Sequence, residues 1–301
     1  MTIDNALLKL RLRLSEFPPP IILYNKSHSG SRLLAESLMA QGVFLGAEIN
    51  ESRDSLPVLQ VVEDVVTQYY PDYDRLWRST DGNQARLAVE TGAAFNRHLA
   101  GYDSRQGQRW GWKLCETPYA LPFFDFLFPA ATVVHLIRDG RDVAWSDHVA
   151  PELPFWRKIY FNTDRIQHWQ RRSLANAAYE RRPYLYNAIH WANSVTVGRA
   201  YGTMLRERYW EIRYEDLCHD FSGSVSRLMA NLGMDAVEGK IDRMAPLVYS
   251  RSVGKHRSRP IRAQRAVVEL IGPVLASFDY GSSPGDHAQD RVPSRWCRLW
   301  Q

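Results

Sequence analysis

The chain has 301 residues, of which 45% are hydrophobic and 24% are charged. These fractions are typical of a globular protein and exclude a disordered or low-complexity chain. Lys and Arg outnumber Asp and Glu by 38 to 33, a mild excess that fits an anionic ligand or a nucleic-acid surface and selects neither.

The N-terminal half alternates short apolar runs with helical patterns. Residues 1–19 form an arm in which Leu alternates with Lys and Arg, which indicates a surface helix or frayed segment, with a short amphipathic helix as the alternative, rather than a signal peptide. A buried strand is predicted over residues 21–25, a loop over 26–31 and a helix over 32–41. Residues 47–108 are predicted to be mainly helical, with loops near Pro57, Pro71 and Gly82.

The C-terminal half continues this alternation. Strands are predicted over residues 110–114, 131–137 and 209–214, and helices over 141–149, 185–206 and 221–232. Residues 150–183 are interpreted as a cap or insertion, and 281–301 as an irregular tail. Strands that alternate with helices predict a parallel sheet covered on both faces, which binds ligands at the carboxyl ends of its strands.

Two polar clusters follow predicted strands. In the first, Lys26, His28, Ser29, Gly30, Ser31 and Arg32 form a strand-to-helix loop. Its backbone N–H groups, hydroxyls and cations indicate an anion site for phosphate or sulfate, although an ordinary turn is the alternative. The Walker A pattern is absent.

The second cluster runs from Arg138 to Ser146. Arg138 follows the third strand, and Ser146 is expected two turns into the next helix. A guanidinium and a hydroxyl at this spacing can clamp one phosphate group. A capped helix with local ion pairs is the alternative.

These motifs resemble the sulfotransferases that use 3′-phosphoadenosine 5′-phosphosulfate (PAPS). The loop HSGSR at residues 28–32 is similar to the family's 5′-phosphosulfate loop, and RDGRDVAWS at 138–146 is similar to its 3′-phosphate motif. RYEDL at 213–217 is similar to its fourth-strand signature. The chain is therefore identified as a bacterial-type member of this family.

The resemblance implies an α/β fold, a three-layer sandwich with a central parallel sheet like that of P-loop NTPases, with helical cap insertions. It implies one domain over residues 1–301, in which 47–108 and 150–183 shape the acceptor pocket. PAPS is the expected cosubstrate and 3′-phosphoadenosine 5′-phosphate (PAP) the product, with no metal. Late basic residues that contact the 3′-phosphate in the family correspond to Lys255 and Arg257.

Two departures concern the catalytic groups. The family's basic residue before Ser-Gly corresponds to His28, and Lys26 lies two positions earlier, so either side chain is a candidate for the cation that stabilises the leaving oxygen. Arg32 stands where the family usually has Thr and adds a cation.

Glu116 is the best candidate for the general base that accepts the acceptor's proton. Its alternative is a helix-entry carboxylate paired with Lys113, and Lys113 either faces the sulfate or makes that pair. His98 and His148 are weaker candidates for the base, and His135 is interpreted as a core histidine with its hydrogen bonds satisfied.

Rival interpretations are a P-loop-like kinase, an inactive relative and a basic nucleic-acid binder. The loop lacks the Walker Lys, and the basic residues are spread through the chain rather than massed with aromatic residues. The expected partner is a small-molecule or glycan acceptor, with no nucleic acid and no membrane span. Three widely spaced cysteines, Cys115, Cys218 and Cys297, favour a reducing, cytoplasmic compartment.

Overall fold

The computed structural model describes residues 4–78, 82–147, 151–164, 181–248 and 250–281, and these form two compact units. Unit 1 takes its residues from Met1–Ile137, Ser194–Ile212 and Val225–Leu247, and unit 2 from Arg138–Asn193, Arg213–Ser224 and Val248–Gln301. The expectation of one domain stays a prediction. His148, Cys297 and the tail beyond residue 281 lie outside the described residues.

A four-stranded parallel sheet forms the centre of unit 1. Its strands are β1 (Ile21–Asn25), β2 (Gly111–Lys113), β3 (Thr132–Ile137) and β4 (Tyr209–Arg213), in the order β2-β1-β3-β4. Strand β1 runs parallel to both neighbours, with Ile21 opposite Gly111 and Thr132. All five residues of β1 are buried, as the continuous apolar run predicts for a strand covered on both faces. The predicted α/β fold is therefore confirmed.

The helices of the described residues are numbered in chain order. They are α1 (Asn5–Leu14), α2 (Ser31–Ala40), α3 (Leu56–Tyr69), α4 (Asp74–Arg78), α5 (Asn83–His98), α6 (Leu121–Leu127), α7 (Gly140–Ala144), α8 (Pro154–Tyr160), α9 (Pro183–Gly202), α10 (Tyr214–His219), α11 (Phe221–Asn231), α12 (Glu238–Met244) and α13 (Ile261–Ser277). In the part of the chain so described, no helix combines the length and apolarity that a membrane crossing requires.

Apolar helix faces and an aromatic cluster build the core of unit 1. Helix α3 buries five valines at helical spacing against α5. Five aromatic rings then pack edge-on or tilted, with the centroids of neighbouring rings 5.0–6.5 Å apart: Phe95, Trp110, Trp112, Phe124 and Phe128. This cluster lies behind β2 and fixes the strand that leads to Glu116.

The structure corrects one local prediction in unit 1 and decides between the alternatives of another. The expected loop near Pro57 is the first turn of α3, where Pro is tolerated because its missing N–H has no partner in the helix. Of the alternatives for the N-terminal arm, the helix is confirmed and the frayed segment is wrong, because Leu7, Leu10 and Leu14 of α1 are buried and α1 packs against α5. Within this basic arm, apolar residues spaced by three and four positions are the pattern that indicates a helix with one buried face.

The helix predicted over residues 141–149 is present but shorter than expected, because α7 ends at Ala144. Ser146 therefore follows the helix instead of lying two turns inside it. The side-chain amide of Asn187, in α9, donates to the carbonyl oxygens of Ala144 and Ser146, at 3.2 Å each. These bonds satisfy carbonyl groups that the helix end leaves without an intrahelical partner.

Candidate functional site

The loop after β1 turns tightly into α2. Gly30 is the N-cap of α2 and has φ of +90°, a left-handed conformation that glycine adopts at little cost. Lys26, Ser29 and Ser31 are all buried, with Ser29 only 1% exposed. The Ser29 hydroxyl has no hydrogen-bond partner among the described residues. A buried hydroxyl beside a helix N-terminus fits an anionic ligand, which would supply the missing acceptor.

His28 and Arg32 differ from the rest of this loop because both are exposed. His28 has φ of +66°, which is uncommon for a residue other than glycine. The Arg32 guanidinium forms an ion pair with Glu36 one turn later in α2, at 3.1 Å. The structure therefore separates the two candidate cations by environment: Lys26 is buried and His28 is exposed.

Glu116 follows β2 beside a buried charged cluster in unit 1. It is partly exposed and precedes the 3-10 helix Thr117–Ala120. Lys113 donates to Asp54, with Nζ 2.7 Å from Oδ1, and to the Ser52 carbonyl. Burial lowers the pKa of Lys113, but nearby Cys115, Asp54 and Glu116 outweigh it, so the net pKa is raised. Asp54 lies 59 residues earlier in the chain, and no sequence pattern predicted it as a partner of Lys113.

The Cys115 thiol lies in the same cluster. It donates to Asn25 Oδ1, with the two atoms 3.2 Å apart. Removal from water raises the pKa of this thiol strongly, although Lys113 opposes the effect. The thiol is therefore protonated near neutral pH and is a poor nucleophile.

Two histidines of unit 1 are buried in its core and form hydrogen bonds there. His98 is fully buried, and its ring nitrogens bond to the Ser55 hydroxyl and the Gly111 carbonyl at 2.9 Å each. Burial lowers its pKa to about 4. His135 is buried as predicted and bonds to Tyr209 through Nδ1 at 2.7 Å. The expectation that its hydrogen bonds are satisfied is wrong for Nε2, which has no partner among the described residues.

Arg138 begins the polar cluster of unit 2. Its side chain is buried, donates to the Ser252 carbonyl and lies 4.8 Å from the centre of the Tyr214 ring. Asp142, in α7, lies 3.9 Å from the guanidinium. Gly140 starts α7 in contact with Trp191, whose indole ring would be 2.5 Å from any added Cβ. The Trp191 indole N–H also donates to the Arg138 carbonyl, at 2.9 Å, so the backbone at Arg138 is fixed from α9.

The structure brings Ser146 and Lys255 together. The Lys255 ammonium donates to the Ser146 hydroxyl, with the two atoms 3.1 Å apart. Burial and the charge of Arg138 lower the pKa of Lys255, although Asp142 opposes this. Cations that repel each other in this way are stabilised when an anion joins them, which is the property required of a phosphate site.

Arg257 and Arg259 flank this group and are exposed. The Arg257 guanidinium lies over Gly254, about 3.3 Å from where a Cβ would stand. Arg259 lies over the Trp145 ring at 5.3 Å, and its charge also lowers the pKa of Lys255. Arg259 was not among the predicted site residues. Its position two residues beyond the basic run at residues 255–257 could have indicated that it belongs to the same cationic group.

Comparison with known proteins adds an independent observation. The model of the Sulfotransferase family matches residues 26–238, well over half of the chain. This range begins at Lys26 and includes Glu116, Arg138 and Ser146. A search of curated proteins gives no match.

Solved structures of similar fold include several sulfotransferases. The sulfotransferase domain from the curacin biosynthetic pathway is 15% identical, with 88% of this chain and 99% of that chain covered and a TM-score of 0.50. The domain from the Synechococcus PCC 7002 olefin synthase is 16% identical, with 88% and 96% covered and a TM-score of 0.48. Mouse sulfotransferase SULT7A1, complexed with PAP, is 13% identical, with 98% and 83% covered and a TM-score of 0.40. At these identities the likeness concerns the fold alone.

Proposed function

The chain belongs to the sulfotransferase family and catalyses sulfuryl transfer, and we propose that its donor is PAPS and its acceptor a hydroxyl or amine. In this reaction a bond forms between sulfur and the acceptor atom while the bond from sulfur to the bridging oxygen of PAPS breaks. PAP leaves with that electron pair, and the acceptor's proton passes to a base. The protein must position the reactants and stabilise the charge on the leaving oxygen.

One observation in unit 2 carries the assignment of the nucleotide. Ser146 and Lys255, which are 109 residues apart, share a hydrogen bond, and the charge of buried Arg138 acts on Lys255. These residues correspond to the family's contacts with the 3′-phosphate. Their convergence supports PAPS, because its 3′-phosphate can accept hydrogen bonds from all three side chains.

Unit 1 supplies the groups for the chemical step in this proposal. The loop at Lys26, His28, Ser29, Gly30, Ser31 and Arg32 binds the 5′-phosphosulfate, and the buried Ser29 hydroxyl donates to it. Glu116 is the base. The proposed mechanism uses no metal, because fixed cations neutralise the leaving group.

The acceptor is proposed to be a small molecule or glycan, shaped by residues 47–108 and 150–183. Helices α3 and α5 fall in the first segment and α8 in the second. We also propose a cytoplasmic location, because Cys115 and Cys218 are free thiols and fit a reducing compartment.

Calorimetry with PAP tests the proposed function. Ser146→Ala and Lys255→Met are expected to weaken PAP binding about tenfold each, because each removes a charge-assisted hydrogen bond to the phosphate. Lys158→Met is the matched control, since Lys158 is an exposed lysine of α8 in the same unit. Wild-type protein that does not bind PAP, or site variants that bind it as the control does, would contradict the assignment.

A further inference from the structure

A buried carboxylate joins α7 to the segment that carries Lys255. Asp142 is 1% exposed. Its Oδ2 accepts the backbone N–H of Gly254 at 2.7 Å, and its Oδ1 accepts the backbone N–H of His256 at 3.0 Å. The His256 ring donates from Nδ1 to the same Oδ1, at 2.6 Å. One side chain thus accepts three hydrogen bonds from a stretch of three residues.

The geometry fixes Lys255 on both sides. Gly254 has φ of +75°, which turns the chain so that both flanking N–H groups point at Asp142. Lys255, between the two anchored residues, projects its ammonium to the Ser146 hydroxyl. Burial raises the pKa of Asp142, but His256 and then Arg138 outweigh it, so the net pKa is lowered and the carboxylate stays charged.

We propose that Asp142 is a positioning residue for nucleotide binding, which holds residues 254 and 256 so that Lys255 meets Ser146 at the 3′-phosphate. This inference rests on the proposed use of PAPS. Asp142 is itself negative, so its direct electrostatic effect on a phosphate is unfavourable. The benefit that we assign to it comes through the position that it gives to Lys255.

The charge of Asp142 and its positioning of Lys255 have opposite expected effects on PAP affinity, so one substitution distinguishes them. Asp142→Asn removes a negative charge near an anionic ligand, so electrostatics alone predicts tighter PAP binding. Positioning predicts weaker binding, by about tenfold, because the charge-assisted bonds that hold the loop are lost. The dissociation constant of PAP for the full chain, measured by calorimetry, distinguishes the two.

Asp139→Asn is the matched control. Asp139 is the N-cap of α7, equally buried, and its carboxylate bonds to Arg141 at 2.7 Å rather than to residues 254–256. The charge change is the same, and asparagine also caps helices well. Asp139→Asn removes the buried partner of Arg141, so thermal unfolding first checks that the variant is folded, and the folded variant is expected to bind PAP as tightly as the wild type or more tightly.

Two readouts separate positioning from general damage to the fold. Asp142→Asn is expected to keep the wild-type affinity for adenosine 5′-phosphate, which lacks the 3′-phosphate, and to raise the KM for PAPS without lowering kcat. In a Lys255→Met background the same substitution is expected not to weaken PAP binding, since the side chain that it positions is gone and only the repulsion between its charge and the phosphate is removed.

If Asp142→Asn does not fold, His256→Ala tests whether Asp142 positions Lys255 for PAP binding. It removes the ring bond and keeps both backbone bonds, so PAP binding is expected to weaken about threefold. Unchanged or tighter PAP binding by these variants, or an equal loss for adenosine 5′-phosphate, would overturn the inference. Wild-type protein that fails to bind PAP would instead overturn the proposed function.

Discussion

Lys26 and His28 stand two residues apart after β1, yet their side chains have opposite environments. Lys26 is 1% exposed, whereas His28 is exposed and has a left-handed backbone. A cation that stabilises a leaving oxygen acts best when it is held in place and shielded from water. Lys26 meets this condition better than His28, although the family's pattern aligns with His28.

The contrast gives a prediction for catalysis. Lys26→Met is expected to lower kcat about a hundredfold or more, and His28→Ala less than threefold, in a sulfuryl-transfer assay with saturating PAPS. His219→Ala is the control for His28, since His219 is another exposed histidine. A larger loss in His28→Ala than in Lys26→Met would assign the role to His28, and thermal unfolding would show whether Lys26→Met keeps its fold.

At the scale of the elements, α1 belongs to the core of unit 1. Leu7 is fully buried, whereas Leu12 on the opposite face is 68% exposed. Leu7→Ala is therefore expected to lower the free energy of unfolding by about 3 kcal/mol, from lost burial and the cavity left behind. Leu12→Ala is expected to change it by less than about 0.5 kcal/mol. Urea unfolding of both variants checks this, and equal effects would contradict the packing of α1.

The strands were predictable and several helices were not. Strands β1 and β3 are continuous apolar runs because they are covered on both faces. Helix α13 was not predicted, although Val267, Ile271 and Leu275 repeat at helical spacing, because Pro273 inside it reads as a helix breaker.

In the candidate site, too, some residues could be predicted from the sequence and others could not. The residues around Arg138 and Ser146 were found because their spacing resembles a family motif. The bonds from Lys113 to Asp54 and from Asp142 to residues 254 and 256 join segments 59 and 112 or more residues apart. No local pattern encodes such pairs, because tertiary packing alone creates them.

At the scale of the whole molecule, buried histidines and a buried glutamate have opposite effects on the free energy of unfolding at mildly acidic pH. His98 and His135 are buried, which lowers their pKa values to about 4 and about 3. The unfolded chain therefore binds protons that these folded imidazoles do not, and stability falls as the pH drops below about 6.5. Glu215 acts in the opposite sense, because removal from water and then Asp139 raise its pKa to about 7.

A histidine variant isolates one of these contributions. His98 is expected to contribute about 2 kcal/mol to the loss of stability between pH 8 and pH 5, so His98→Gln should flatten the profile by that amount. His219→Gln, at an exposed position, serves as the control. Glu215 is the same in each protein, so the difference between their urea-unfolding profiles reports His98 alone. Parallel profiles for His98→Gln and the wild type would show that its imidazole is not held neutral.

The hydrogen bonds from the Asn187 amide determine whether the phosphate motif at residues 138–146 would keep its geometry in another protein. It bonds to the carbonyls of Ala144 and Ser146 from another helix, so the interval between Arg138 and Ser146 is not set by one continuous helix. Residues 138–146 transplanted into a different parallel sheet would bring the right side chains and leave behind the amide that fixes the last of them. An engineered donor site would therefore need α9 as well as the nine-residue segment.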